Sequence, residues 1–174
     1  MTEMIGTTLA GWWRSALRPT EDSSAARALR ARLKRADSAL EVLAQPQIHD
    51  LVAKAPWLRH SPLALARVVQ VLARVERNDQ HSLARILGEG DPPSMSRARF
   101  EVLVRSEATD LPRALRRAIS LTGGRCNVAA LGRDVVNWDD PERGDKIRQG
   151  WYFDYFNAMR ADVASGVKDT EISQ

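Results

Sequence analysis

Cysteine is almost absent from this chain of 174 residues, since Cys126 is the only one. A single cysteine excludes an internal disulfide framework and a multi-cysteine zinc site. No apolar run reaches the ~18–20 residues needed to cross a bilayer; the longest, 62–75, is interrupted by Arg67, Gln70 and Arg74. The first residues also lack the basic lead of a secretory signal. These absences predict a cytoplasmic chain that has no membrane partner.

Motifs for catalysis or metal binding are also lacking. The three histidines form no HExxH or similar pairing, and Cys126 has no histidine or acid beside it in sequence. The glycines fit neither a Walker loop nor a dinucleotide-binding pattern. The acidic cluster at 134–145 fits helix capping at Asp140 better than a divalent-metal nuclease site. We therefore predict no enzymatic activity, no metal and no cofactor.

Positive charge is present, but it is unusual in composition and placement. Of 26 basic residues, 22 are arginine, and the net charge is +4. Residues 1–138 carry 21 basic and 14 acidic side chains, whereas residues 139–174 carry 5 and 8. Arginine suits bidentate phosphate contacts better than lysine does, although a GC-rich coding bias would explain the same excess. The distribution favours a polyanion-binding body with an uninvolved C-terminal segment.

The spacing of apolar residues predicts an all-α protein, a compact bundle of about six to nine helices. We expect a first helix over 2–17 and a second after Asp22 or Ser23, with one apolar stripe from Leu29 to Leu43. Further start signals precede helices at Ser61–Pro62, Ser82, Ser96, Asp110, Asn127 and Asp140.

The clearest loop is the Gly- and Pro-rich segment 88–94. We predict a single helical domain over 1–164, with possible lobes at 1–87 and 95–164, and a frayed tail over 165–174. Most large aromatic residues fall on apolar stripes, so we expect them to pack in the core rather than to stack on bases. They are Trp12, Trp13, Trp57, Trp138, Trp151, Phe153 and Phe156.

Several predicted helices carry basic residues opposite their apolar stripe. These are Arg27, Arg30 and Lys34 in the second helix, and Arg113, Arg116 and Arg117 in the helix that begins near Asp110. If the fold brings these faces together, they form one extended electropositive surface for a phosphate backbone. Such binding would tolerate any base sequence, because backbone contacts carry no sequence information. The alternative is that these residues simply solvate the outside of the bundle.

An ordered set of short motifs extends over about residues 9–157. It comprises Trp12–Trp13, Leu33–Arg35, Pro46 with Ile48 and Leu51, Leu65–Val75, Arg97–Phe100, Leu103–Arg105, Leu115–Ala118, Leu131–Asp134, Trp138 and Trp151–Tyr155. In order and spacing the set resembles the CasB family, the small helical subunit of the type I-E CRISPR surveillance complex Cascade. The resemblance implies a non-catalytic subunit that stabilises the R-loop. Its implied partners are other Cascade subunits, a second copy of itself, the CRISPR guide RNA, and the target and displaced DNA strands.

The resemblance also implies which residues contact nucleic acid. They are Lys34, Arg35, Arg99, Arg105, Arg116, Arg117, Arg133, Arg143 and Arg148. Arg143 and Arg148 stand beside several carboxylates, which would offset an incoming phosphate. Two other function classes stay open: a stand-alone helical DNA-binding regulator, which would need a base-reading recognition helix, and a protein-interaction scaffold.

Overall fold

The computed structural model describes residues 2–171 and consists mainly of helices. Ten α-helices lie in this part of the chain: α1 Thr2–Trp12, α2 Ser24–Arg35, α3 Ala39–Leu43, α4 Pro46–Lys54, α5 Pro62–Leu72, α6 Leu83–Gly88, α7 Arg97–Val104, α8 Leu111–Leu121, α9 Val128–Val136 and α10 Gly144–Glu171. A π-helical turn, Trp13–Leu17, continues α1, and a 3₁₀-helix, Pro56–His60, precedes α5. The all-α prediction is confirmed, although the described helices outnumber the six to nine expected.

Side-chain caps account for several of the helix starts. The side-chain oxygens of Ser23, Ser82 and Asn127 accept hydrogen bonds of 2.9–3.2 Å from backbone amides in the first turns of α2, α6 and α9. Such caps satisfy amides that have no partner inside the helix. Ser61 and Asp110 make no such bond, and α5 and α8 instead begin with proline in the first two positions, where no amide donor is needed.

The predicted apolar stripe from Leu29 to Leu43 is wrong, because the segment forms two helices. Ala36 is extended, and the Ser38 hydroxyl caps α3 by accepting from the Glu41 amide at 3.3 Å. Aspartate and serine favour caps over helix interiors, so the Asp37–Ser38 pair breaks the helix. As a result Leu40 points outward and is 78% exposed.

Two very short strands were not predicted from the sequence. β1, Arg77–Asn78, pairs in parallel with β2, Arg125–Cys126. Gly123 and Gly124 turn the chain after α8 with φ of 64° and 76°, a conformation that glycine adopts without steric cost. The Gly124 carbonyl then accepts from the amides that lead into β1. Strands of two residues are too short to show the alternation by which strands are predicted.

One buried hydrophobic cluster includes side chains from all ten α-helices. Trp12, Trp13, Trp138 and Trp151 lie in it, and each indole N–H donates to an oxygen of the protein. The core prediction is confirmed for these four. It is wrong for Trp57 and Phe153, which are 38% and 68% exposed.

Helices α1 and α9 cross in close contact because each places a glycine at the crossing. A Cβ on Gly6 would lie 2.5 Å from the carbonyl oxygen of Ala129, and one on Gly132 would lie 3.0 Å from Leu9 Cδ1. Elsewhere α6 packs on α10, so helices from before and after the predicted loop at 88–94 pack together. Gly88 belongs to α6, and the irregular segment begins at Glu89.

The predicted frayed tail, 165–174, overlaps the end of α10, and its last three residues, 172–174, lie outside the described residues. In the part of the chain that the structure describes, no helix is both long enough and apolar enough to span a membrane.

Candidate nucleic-acid interface

Basic side chains from three elements meet around one cavity, which we call the cationic pocket. Lys34 comes from the end of α2, Arg74 follows α5, and Arg116 lies on the outer side of α8. The cavity has a volume of about 320 Å³, and Glu76, Ile119, Ser120, Gly123 and Gly124 complete its lining. The Arg74 guanidinium donates to the Lys34 carbonyl at 3.1 Å. This bond holds the end of α5 against the end of α2.

Like charges crowd each other in the cationic pocket. Burial lowers the pKa of the Lys34 ammonium, and the charges of Arg18 and Arg74 lower it further, while Glu76 acts in the opposite direction. Burial also lowers the pKa of Arg74, and Arg116 adds to this effect. A bound anion would favour the charged forms of these groups. The electrostatics of the pocket therefore suit a phosphate.

A second basic site, which we call the α7–α8 groove, lies on the other side of α8. Arg105, Arg113 and Arg117 line this groove of about 620 Å³ together with the exposed Val102 and the acidic Glu107 and Asp110. The three arginines are exposed, and none of their guanidinium groups forms an ion pair or hydrogen bond with another described residue. They are therefore free to bind a ligand.

Helix α8 forms a ridge between the two sites, because Arg116 faces the cationic pocket and Arg113 and Arg117 face the groove. Arg99 precedes Val102 by three residues on α7, so it lies on the row of α7 that lines the groove. Arg35 follows Lys34 at the exposed end of α2, and its Nε donates to the Ala31 carbonyl.

Two of the predicted residues lie in the region where α2 meets the preceding segment. Arg30 is 8% exposed, and its guanidinium donates to the Leu17 carbonyl and to Asp22 at 2.9 Å. The exposed Arg27 pairs with the same carboxylate at 3.3 Å. The Arg30 guanidinium is thus engaged inside the fold.

The three remaining residues lie around α9 and the start of α10, outside both basic sites. Arg133 pairs with Asp134 at 2.8 Å, and Arg143 donates to Asn137 at 3.2 Å. Arg148 donates to the Val104 carbonyl at 3.2 Å, and its guanidinium centre lies 5.0 Å from the Trp138 ring centroid. Arg133 and Arg143 help to line a separate cavity of about 400 Å³.

Two basic residues were not among the candidates: Arg74, which lines the cationic pocket, and Arg18, whose charge acts on Lys34. Arg74 stands seven residues after Arg67, a spacing visible in the sequence, but Arg67 is buried and pairs with Asp139 at 2.7 Å. The two arginines therefore do not share one exposed face. Arg18 follows the π-helical turn, where no helical period applies, and its Nε donates to the Val75 carbonyl.

The remaining titratable side chains concern metal binding, thiol reactivity and buried charge. Within the described residues, no group of three or more His, Cys, Asp or Glu side chains is arranged to hold a metal ion. Burial, together with the charge of Asp79, raises the pKa of the Cys126 thiol to about 12. Since the thiolate is the reactive form, this raised pKa and the burial of Cys126 both disfavour its reaction at neutral pH.

The Asp134 carboxyl is buried between α9 and α10. It accepts from Trp151 Nε1 at 2.8 Å and from Arg133 Nε at 2.9 Å. Burial raises its pKa, and the charge and hydrogen bonds of its two partners only partly offset this. Arg133 is therefore held in place by a carboxylate that is costly to keep charged.

Asp134 makes folding sensitive to pH in a definite direction. Between the ordinary pKa of 3.8 and the raised folded-state pKa, the folded chain holds a proton that the unfolded chain has released. Stability therefore falls as the pH rises through this window, and the cost is complete above it. The variant D134N keeps an oxygen for the Trp151 N–H but carries no charge. We expect its unfolding free energy to improve relative to wild type as the pH rises, as measured by urea unfolding.

Asp139 serves as a control, because its pKa is shifted in the direction opposite to that of Asp134. Its partial burial raises the pKa of its carboxyl, but the hydrogen bond and charge of Arg67 more than offset this and leave the pKa lowered. Its stabilising effect is present above the ordinary pKa and is lost as the pH falls. The unfolding free energy of D139N should therefore fall furthest below that of wild type at neutral pH, and the difference should shrink as the pH is lowered. The same trend in both variants would contradict this account.

The chain is similar in sequence and in fold to known CRISPR-associated proteins. The family model described as CRISPR-associated protein Cse2 matches residues 29–156. A CRISPR-associated protein Cse2 from Thermus thermophilus is 30% identical over 118 residues, which are 66% of this chain and 69% of that protein. The crystal structure of CasB from Thermus thermophilus superposes with a TM-score of 0.68 at 24% identity, covering 88% of this chain and 98% of that one.

A more distant structural match comes from a large assembly. One chain in the crystal structure of E. coli Cascade bound to a PAM-containing double-stranded DNA target has a TM-score of 0.60 at 19% identity. The match covers 89% of this chain and 95% of that chain. At this identity, and at the 24% of the CasB structure, the likeness shows a shared fold.

Proposed function

The chain belongs to the Cse2 family of CRISPR-associated proteins, and from this membership we propose that it is the small, non-catalytic subunit of a type I-E Cascade complex. In that complex it acts in the cytoplasm in antiviral defence, beside other Cascade subunits and a second copy of itself. It contacts the backbones of the guide RNA and the DNA strands and thereby stabilises the R-loop. The DNA-bound Cascade that contains a chain of the same fold supports this proposal.

The observation that carries the proposal is the meeting of Lys34, Arg74 and Arg116 in one pocket, with the α7–α8 groove on the far side of α8. We propose that nucleic-acid backbone lies across this ridge. The proposed contacts are Lys34, Arg35, Arg74, Arg99, Arg105, Arg113, Arg116 and Arg117. Arg27, Arg133 and Arg143 remain secondary candidates, whereas Arg30 and Arg148 act within the fold.

The physical role follows from the energetics of the R-loop. One duplex is exchanged for another at nearly balanced free energy, so modest contacts with the backbone can decide the outcome. Each phosphate that the surface neutralises adds about 0.7–0.9 to the slope of log affinity against log salt concentration. A rigid helical block can supply this bias without reading base sequence.

Affinity purification of the tagged chain from its own host tests the proposal. We expect CRISPR-associated proteins and a short guide RNA to co-purify, and ribonuclease to release the RNA-dependent part of the assembly. Recovery of the chain without such partners would overturn the assignment. Discrete footprints on duplex DNA would favour a regulator, and partners that resist nuclease and carry no RNA would favour a scaffold.

A further inference from the structure

A tryptophan stands in an open groove on another part of the surface. Trp57 is 38% exposed, whereas Trp12, Trp13, Trp138 and Trp151 are at most 5% exposed. The groove has a volume of about 660 Å³, and its lining includes Ile5, Trp57, His60, Leu63, Val136 and Arg143. This size and mixture of an aromatic ring, apolar side chains and a few polar groups fall within the range of small-molecule sites.

Local hydrogen bonds and a buried neighbour fix the backbone at Trp57. Trp57 is the second residue of the 3₁₀-helix Pro56–His60, and the next residue, Leu58, is completely buried. The Leu58 amide donates to the Ala55 carbonyl and the Ser61 amide to the Leu58 carbonyl, both at 3.0 Å. With Leu58 anchored in the core, its neighbour faces outward from a short and firmly held element. Little ordering of the backbone is therefore required when a ligand binds to the ring.

The charged groups at this groove suit a nucleotide. His60 and Arg143 line it, and Arg143 is steadied by its bond to Asn137 at 3.2 Å. Asp139 and Asp140 also line it, but Arg67 pairs with Asp139 at 2.7 Å, and Asp140 accepts from two backbone amides. The Arg143 guanidinium can hold a phosphate, and carboxylate oxygens can accept from the amino groups of bases.

We propose that the Trp57 ring stacks on an unpaired nucleobase, a contact that rests on the proposed function and adds a second kind of binding to it. Every base has a π-face, so stacking tolerates any sequence. In a duplex, neighbouring base pairs cover those faces, and Trp57 can reach only a base in a single strand. The ridge at α8 then binds backbone of either form, while the Trp57 groove selects single-stranded segments.

Fluorescence offers a direct test, because Trp57 is the one exposed tryptophan of the five. Single-stranded oligo(dT) added to the purified chain at low salt should quench the exposed component of the emission in a saturable way. The anisotropy of a labelled oligo(dT) reports the affinity independently. The variant W57L should abolish the quenching and weaken binding about 5- to 150-fold, whereas W57F should restore part of the affinity. F153L, which removes the other strongly exposed aromatic ring, should bind like wild type.

The outcomes separate this proposal from the proposed function. Saturated binding with unchanged Trp57 emission, or W57L that binds as tightly as wild type, would overturn the stacking contact and leave the ridge at α8 standing. If W57L keeps its DNA affinity but no longer joins the assembled complex, the groove is a protein interface. A wild-type chain that binds no oligo(dT) at low salt would overturn both the stacking contact at Trp57 and the ridge at α8 as a binding surface. Circular dichroism and a thermal melt show that each variant is folded.

Discussion

The double variant R116E/R117E is expected to retain target DNA at least tenfold less tightly than wild type within the assembled complex. Arg116 lines the cationic pocket and Arg117 lines the α7–α8 groove, so the two reversals affect both sides of the ridge. A hydrogen bond to a charged group contributes about 1.5–3 kcal/mol, and each reversal adds repulsion to the loss. The slope of log affinity against log salt should fall by about 1.4–1.8, which corresponds to two phosphates.

The control for this variant is R14E/R160E, which makes the same change in net charge at two exposed arginines outside both sites. It should retain most of the affinity, because a distant charge acts only through the screened field of the whole protein. Both variants should melt close to wild type, since exposed substitutions rarely alter stability by more than about 0.5 kcal/mol. An equal loss in the two variants would point to net charge, and an unchanged affinity of R116E/R117E would reject the ridge as the binding surface.

Replacement of Gly6 by alanine should destabilise the fold by about 1–3 kcal/mol. The new Cβ would lie 2.5 Å from the Ala129 carbonyl oxygen and 3.1 Å from its carbon. Both atoms belong to the backbone of α9, so the whole helix has to move. The intrinsic gain of alanine over glycine in a helix, about 1 kcal/mol, only partly offsets the clash. For a chain of this length we expect a melting temperature about 2–12 °C lower.

The same helix provides the matched control at Gly11. A Cβ added there has no neighbour within 4 Å, and the position is exposed. G11A should therefore gain about 0.5–1 kcal/mol from helix propensity alone. Opposite shifts of the two melting temperatures would locate the effect at the crossing of α1 and α9. A stabilised G6A variant would contradict the close crossing that the structure shows.

Much of the architecture could be predicted from local patterns along the chain. Helical periodicity predicted the all-α fold, and the caps at Ser23, Ser82 and Asn127 marked real helix starts because a cap depends on neighbouring residues alone. The prediction failed where the local structure depends on more than the helical period or on contacts between distant parts of the chain. Asp37–Ser38 interrupts a stripe that is periodic in sequence, and the parallel pairing of β1 with β2 joins residues 48 positions apart.

The candidate interface was less predictable, because an arginine on a polar helix face can have different roles. Arg30 and Arg116 both lie opposite apolar stripes. Arg30 nevertheless reaches back to the Leu17 carbonyl, whereas the Arg116 guanidinium bonds to no other described residue. Arg74 enters the cationic pocket only because α2 packs at the end of α5. Likewise Trp57 resembles the other four tryptophans in sequence, and the buried neighbour Leu58 determines that it faces outward.

In the cationic pocket, the stability of the fold and the proposed binding of phosphate make opposite demands on the same side chains. When the pocket is empty, Lys34, Arg74 and Arg116 repel one another, and this repulsion counts against the folded state. Neutralising Lys34 or Arg116 relieves the repulsion and removes a proposed phosphate contact in the same step. Selection of variants of this chain for heat resistance alone will therefore favour neutral residues at the pocket, and these are the substitutions that would remove its proposed contacts with nucleic acid.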